Sequence, residues 1–131
     1  MQNCRVLSER SYVSYVDMQL PSSLLVAKRG VHFAEANKQL YYKLMGDWEL
    51  KAWFDEAYPG MSDFVKPNSS GVFSSKSPTK AGFTWHHSIS DQANGQVGVM
   101  QLVRNSDHVS GSRFYHPGSS GGCAEWGGGC R

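Results

Sequence analysis

The sequence predicts an α+β chain: a helical amino-terminal part packed on a smaller carboxy-terminal unit built from two strands. Three observations predict it. Apolar residues recur at three- and four-residue spacing through residues 31–57, the period of a helix with one buried face. Phe83–His87 and residues 98–103 are short apolar runs of strand length, bounded by turn residues. Ten of the fourteen glycines lie from Gly82 onward, so the strands sit in a turn-rich setting.

Taken in order, residues 5–18 alternate Val, Tyr and Ser loosely, with Tyr12, Tyr15 and Val16 prominent, and read as a strand or an extended packing arm. Pro21-Ser22-Ser23 is a helix-start signal, with either serine as cap before Leu24-Leu25. Phe33, Ala36, Leu40, Tyr41 and Leu44 place a helix over residues 31–45. Gly46-Asp47 breaks it, and Asp47 is placed to cap a second helix through Trp48, Leu50, Trp53, Phe54 and Ala57. Tyr58-Pro59-Gly60 ends that helix. The aromatic residues on both helices read as core. Residues 66–82, rich in Pro, Ser, Lys and Gly, read as a linker or surface loop. The expected organisation is a single domain over 1–131: a mainly helical scaffold to about 65, the loop, and a compact unit over 83–131.

With 131 residues, 40% hydrophobic and 18% charged, the chain is long enough for one modest core and too apolar for disorder. No apolar run approaches the ~20 residues of a membrane span. No secretory signal is visible near the start, so export would need a specialised machine or a larger parent chain. The net charge of +2 permits a nucleic-acid partner without requiring one. Cys123 and Cys130 could pair or offer thiolates to a metal, and the favoured reading is of reduced cysteines in a flexible tail.

The chemistry is concentrated in histidine. Four of the five lie from His86 onward: His86 and His87 on the first strand, His108 and His116 after the second. Imidazole serves at neutral pH as metal ligand and as proton acceptor. Adjacent strand residues face opposite ways, so His86 and His87 can take different tasks, one toward a metal and one toward water. Such a site suits phosphodiester hydrolysis, where a metal stabilises the leaving oxygen and a base activates water. Imidazole-rich sites favour zinc, with Mg, Mn or Ni as alternatives. Trp85 reads as core, its indole N–H bonded to backbone. Asp107 reads equally as a partner for an imidazole or as a helix cap. His32 reads as a satisfied structural histidine, although it shares with Asn37 a helix face that could approach the site.

Thr84-Trp85-His86-His87, residues 98–103, His108, and residues 114–118 with Gly121-Gly122 and Trp126-Gly127-Gly128 resemble the HNH/endonuclease VII-type toxin nucleases marked by a Trp-His-His motif. The resemblance covers about residues 20–128 and is specific in the last third. It implies a ββα-metal (His-Me finger) fold with a site like that of the colicin DNases. His86 would then be a metal ligand and His87 the general base. His108 and His116 would complete the metal site, and Gln101 would brace the loop carrying the base. Arg29, Arg104 and Arg113 are candidates to bind phosphates, since guanidinium holds them bidentately. Two departures stand out: Ser88 follows the double histidine where many relatives carry histidine or an acid, and seven residues separate His108 from His116. Either a loop returns His116 to the metal or it is not a ligand.

The implied function is a metal-dependent DNase with low sequence specificity, carried as the toxin domain of a larger secreted protein and neutralised by a cognate immunity protein. It would be made in the bacterial cytoplasm, exported by a specialised system, and act in the target-cell cytoplasm. An RNase on the same scaffold and a non-catalytic, metal-stabilised nucleic-acid-binding module are the rivals.

Overall fold

The structure, a computed structural model, describes residues 5–6, 13–110 and 122–126. The short strands β1 (Arg5–Val6) and β2 (Val13–Ser14) pair with each other. β3 (Val16–Gln19) is followed by a 3₁₀ turn at Ser22–Leu24 and then by three helices: α1 (Arg29–Gly46), α2 (Trp48–Ala57) and α3 (Met61–Val65). A loop leads through a second 3₁₀ turn to β4 (Phe83–His87). A third turn, Ser90–Gln92, precedes β5 (Val99–Arg104) and α4 (Asn105–Ser110), and α5 (Gly122–Glu125) lies near the carboxy terminus.

The sheet that carries the site is antiparallel, in the order β3-β5-β4. Its central strand, β5, is buried from Val99 to Val103, which accounts for the apolar residues on both of its faces there, with Gln101 as the polar exception. The outer strand β3 comes from the amino-terminal part, a pairing that no local pattern announces. Register sets His86 opposite Gln101 and His87 opposite Met100.

The α1 face turned to the sheet holds His32, Ala36, Asn37, Leu40 and Leu44, all buried. Leu40 and Leu44 join Phe54, Met61, Val65, Phe83, Trp85 and Leu102 in one apolar core. Beside it Tyr15 packs edge-on to Phe83, with ring centroids 5.0 Å apart, and Tyr58 meets Phe83 at 4.6 Å. Asp47 caps α2 as expected, its carboxylate accepting from the Leu50 N–H at 3.0 Å.

Two expectations need correction, the core reading of Trp48 and the serine cap at 22–23. Trp48 is not core: it opens α2 and is 75% exposed, because the stripe continues through Leu50 and Phe54 on the other side. α3 follows the Pro59-Gly60 break, where the left-handed Gly60 (φ +99°) lets the chain turn directly into another helical segment. Neither Ser22 nor Ser23 caps a helix through its side chain; Pro21 precedes the turn instead. The stretch between α3 and β4 is fastened at residues 74–77. Asn37 donates to the Ser74 and Lys76 carbonyls, and the Ser77 hydroxyl accepts from the Trp85 N–H at 3.0 Å. Among the described residues, no helix is long and apolar enough to cross a membrane.

Candidate active site

Strand alternation divides β4 between two surroundings. Trp85 and His87 turn toward α1. The Trp85 indole N–H donates to Asn37 Oδ1 at 2.7 Å, and His87 Nε2 lies 3.1 Å from His32 Nδ1. The spacing works because two strand residues advance about 6.7 Å and five helical residues about 7.5 Å. Two positions on β4 therefore meet two positions on α1, with the chains antiparallel. The indole partner is thus a side chain and not the backbone expected from the sequence.

His86 turns the other way and is fully buried. Its Nε2 lies 2.8 Å from Gln92 Oε1 and its Nδ1 lies 3.3 Å from His108 Nε2 on α4. Gln92 Oε1 also accepts the Ile89 N–H at 3.0 Å, which identifies that atom as the amide oxygen. An oxygen there obliges His86 to carry its proton on Nε2, leaving the lone pair on Nδ1, toward His108. A metal-ligating histidine usually has its second nitrogen donating to such an outer acceptor. Two imidazole nitrogens on one tetrahedral zinc, each at ~2.0–2.1 Å, stand about 3.3–3.4 Å apart. The His86–His108 separation fits that shell. Gln101 sits across the ladder from His86 and donates from Nε2 to the Gln92 main-chain oxygen at 3.0 Å, so it steadies the same turn.

A cleft of about 380 Å³ opens beside β4, the outer strand of its sheet. It is lined by Arg29 and Phe33 of α1, Thr84, Trp85 and His87 of β4, and His108 of α4. Histidines from both sides of the strand therefore border one space, with a guanidinium at the amino end of an 18-residue helix. That helix end is favourable for anions. The Trp126 ring stands 5.2 Å from His87 and 5.6 Å from His32 and closes the apolar side of the pair. The Glu125 carboxylate accepts from the Ser90 N–H and hydroxyl at 2.7 and 2.9 Å, fastening α5 to the turn after β4.

Of the residues expected at the site, His86, His87, Gln101, His108 and Arg29 come together. Arg104 is exposed at the end of β5, opposite Phe83, and does not line the cleft. Arg113 and His116 lie outside the described residues. Asp107 is exposed in the first turn of α4, where it suits the helix dipole, and makes no hydrogen bond to His108. Cys123 is disulfide-bonded and lies in α5, so the reading of reduced cysteines in a flexible tail is corrected; Cys130 and Cys4 lie outside the described residues.

The sequence alone did not reveal Gln92 or the contact between His32 and His87. A signal for His32 existed: it is spaced four residues from Ala36, on the stripe that continues to Leu40 and Leu44. A polar residue on a buried stripe must find a partner.

A Trp-His-His strand, a return strand and a histidine-bearing helix form one unit here, and that unit has a counterpart. Residues 73–129 match the WHH family, a nuclease of the HNH/ENDO VII superfamily with conserved WHH. The match takes in β4, β5, α4 and α5, and the three letters fall on Trp85, His86 and His87. No curated protein and no solved structure matches the chain. The α+β architecture is consistent with an HNH-type nuclease. Nucleases of this superfamily are metal-dependent, and His32, His87 and Cys123 form a possible three-ligand group, their donor atoms all within 4.8 Å. The disulfide removes the thiolate that such a group needs. The donor set that better fits a metal in this state is therefore His86 with His108.

Proposed function

We propose that this WHH nuclease is a metal-dependent endonuclease that hydrolyses DNA with low sequence specificity, and that it acts as an interbacterial toxin domain neutralised by a cognate immunity protein. In this reading a larger parent protein carries it out of the producing cell through a specialised secretion system, and it acts in the cytoplasm of the target. One observation carries the catalytic part: β4 splits its two histidines between a tautomer-fixed pair with His108 and a cleft that also holds Arg29.

His86 and His108 would hold the ion, with His116 as the further ligand that the resemblance implies. Zinc suits imidazole donors best, with Mg, Mn or Ni as alternatives. When bound, the ion would supply Lewis-acid stabilisation of the departing oxygen. His87 takes the proton from the attacking water in the cleft. Arg29 holds the phosphate by two parallel hydrogen bonds, Arg104 contacts the backbone beyond the cleft, and Arg113 is the further phosphate-binding candidate. Gln101 and Gln92 keep the turn after β4, and with it the His86 ring, in place. Contacts made mainly to phosphate give affinity that falls with salt and little preference among sequences.

The test is cleavage of plasmid and of total RNA by the purified protein and by His87→Ala, with EDTA or with added Zn²⁺, Mg²⁺, Mn²⁺ or Ni²⁺. The expected result is metal-dependent plasmid cleavage, reduced about 10²–10⁴-fold in the folded variant, the usual contribution of a general base. Cleavage of RNA alone would change the substrate and keep the site. No cleavage of either by folded, metal-loaded protein would leave a binding module.

A further inference from the structure

His32 stands in a hydrogen-bonded line behind the base. Its Nε2 lies 2.6 Å from the Leu24 carbonyl oxygen, and its Nδ1 lies 3.1 Å from His87 Nε2. A carbonyl only accepts, so His32 carries a proton on Nε2. The His32 ring is fully buried, packed against the rings of His87 and Trp126. Neutral His32 with its proton on Nε2 has its lone pair on Nδ1, and the bond to His87 then runs one way: His87 donates from Nε2. The proton-accepting nitrogen of His87 is by the same logic Nδ1. Phe33, with its ring 5.6 Å from His87, and Trp126 confine the imidazole on its flanks.

We infer that His32 is the positioning residue of the His87 base: the line from the Leu24 carbonyl through His32 fixes the His87 tautomer and ring orientation. The inference rests on the assignment of His87 as base. A base backed by a third group that sets its tautomer is a recurrent catalytic arrangement, and holding the wrong tautomer silences a base whose geometry is otherwise intact. Here a neutral imidazole from a helix fills that place. The device also gives α1 a direct part in the chemistry of a motif built on β4, β5 and α4.

Two measurements test it. The first reads the tautomer directly, by ¹⁵N shifts of the histidine rings in metal-free protein at mildly alkaline pH. His87 should be protonated on Nε2, and His32→Phe, which fills the space without an acceptor, should abolish that preference. The second is cleavage kinetics. His32→Phe should lower kcat about 10- to 100-fold, a part of the ~10²–10⁴ a general base supplies, with KM within about twofold. His32→Asn places an amide oxygen near the position of Nδ1 and should recover to within about tenfold of the parent. His32→Gln reaches the Leu24 carbonyl but not His87 and should stay as low as His32→Phe. Wild-type His87 protonated on Nδ1, or full kcat in folded His32→Phe, would overturn the inference. So would His32→Asn falling as far as His32→Phe. If His32→Phe fails to fold, the Asn and Gln pair and the wild-type tautomer still decide. Full cleavage by His87→Ala would instead remove the base assignment, and the inference with it; a silent His87→Ala beside a fully active His32→Phe removes the inference alone.

Discussion

At the scale of single residues, two buried tryptophans near the site differ in one atom's circumstances. The Trp85 indole N–H is bonded to Asn37 Oδ1 inside the protein, and Asn37 spends its own amide hydrogens on the 66–82 loop. The Trp126 indole N–H is buried and makes no hydrogen bond among the described residues. Replacing Trp85 by Phe strands a buried acceptor, so Trp85→Phe should lose about 1–3 kcal/mol of stability. Trp126→Phe removes a donor that is already unsatisfied, and should stay within about 1 kcal/mol of the parent. Urea unfolding of the two variants measures the contrast. An equal loss at both positions would show that the Trp126 N–H has a partner in solution.

At the scale of elements, the site depends on how tightly its pieces approach one another. α5 lies so close to the end of β4 that a Cβ on Gly122 would stand 2.1 Å from the Ser88 carbonyl oxygen and 2.8 Å from that of His87. These are backbone atoms and cannot swing aside. Gly122→Ala should therefore displace α5, lower stability by about 1–3 kcal/mol as overpacking does, and weaken cleavage, since Trp126 and Glu125 move with it. Gly46→Ala, whose added carbon meets nothing within 4 Å, is the control and should leave cleavage unchanged. Thermal melts and plasmid nicking on both variants decide it.

The corner between α2 and α3 offers an electrostatic test at the same scale. Asp55 accepts from Lys51 at 2.8 Å and from Ser62 at 2.5 Å. The Lys51 hydrogen bond first, and that of Ser62 next, hold its carboxyl below its ordinary value of about 3.8. A depressed carboxylate stabilises the fold above that value and loses its contribution as pH falls through the lowered one. Asp55→Asn should thus be slightly less stable near neutrality, and the difference should close in acid. The Lys51 and Asp55 side chains are about two-fifths exposed (40% and 38%), so solvent screening keeps the effect under about 1 kcal/mol. A deficit that persists unchanged at low pH would contradict the assignment.

At the scale of the whole molecule, what could be read from the sequence was what periodicity encodes. The α1 and α2 stripes, the Asp47 cap and both site strands follow from residues near one another in the chain. The pairing of β3 with β5, the seat of the 66–82 loop along α1, and the approach of His32 to His87 join residues far apart. No local pattern carries such contacts. The histidine pair itself was legible because two imidazoles on adjacent strand positions are chemically distinctive; Gln92, an ordinary polar residue in a turn, became visible only when its oxygen was found against His86. This division bears on what the metal does for the fold. The core joins α1, α2, α3 and the sheet through Leu40, Leu44, Phe54, Met61, Phe83, Trp85 and Leu102, and neither His86 nor His108 belongs to that cluster. A catalytic ion should therefore add only its binding linkage, about 2.7 kcal/mol when present at a hundred times its dissociation constant. EDTA should abolish cleavage while far-UV circular dichroism keeps its native shape and the melting temperature drops by roughly 5–15 °C. Loss of the native spectrum on chelation at room temperature would instead make the ion a structural requirement, as in small domains that fold only around their metal, and would put the binding-module reading ahead of the nuclease.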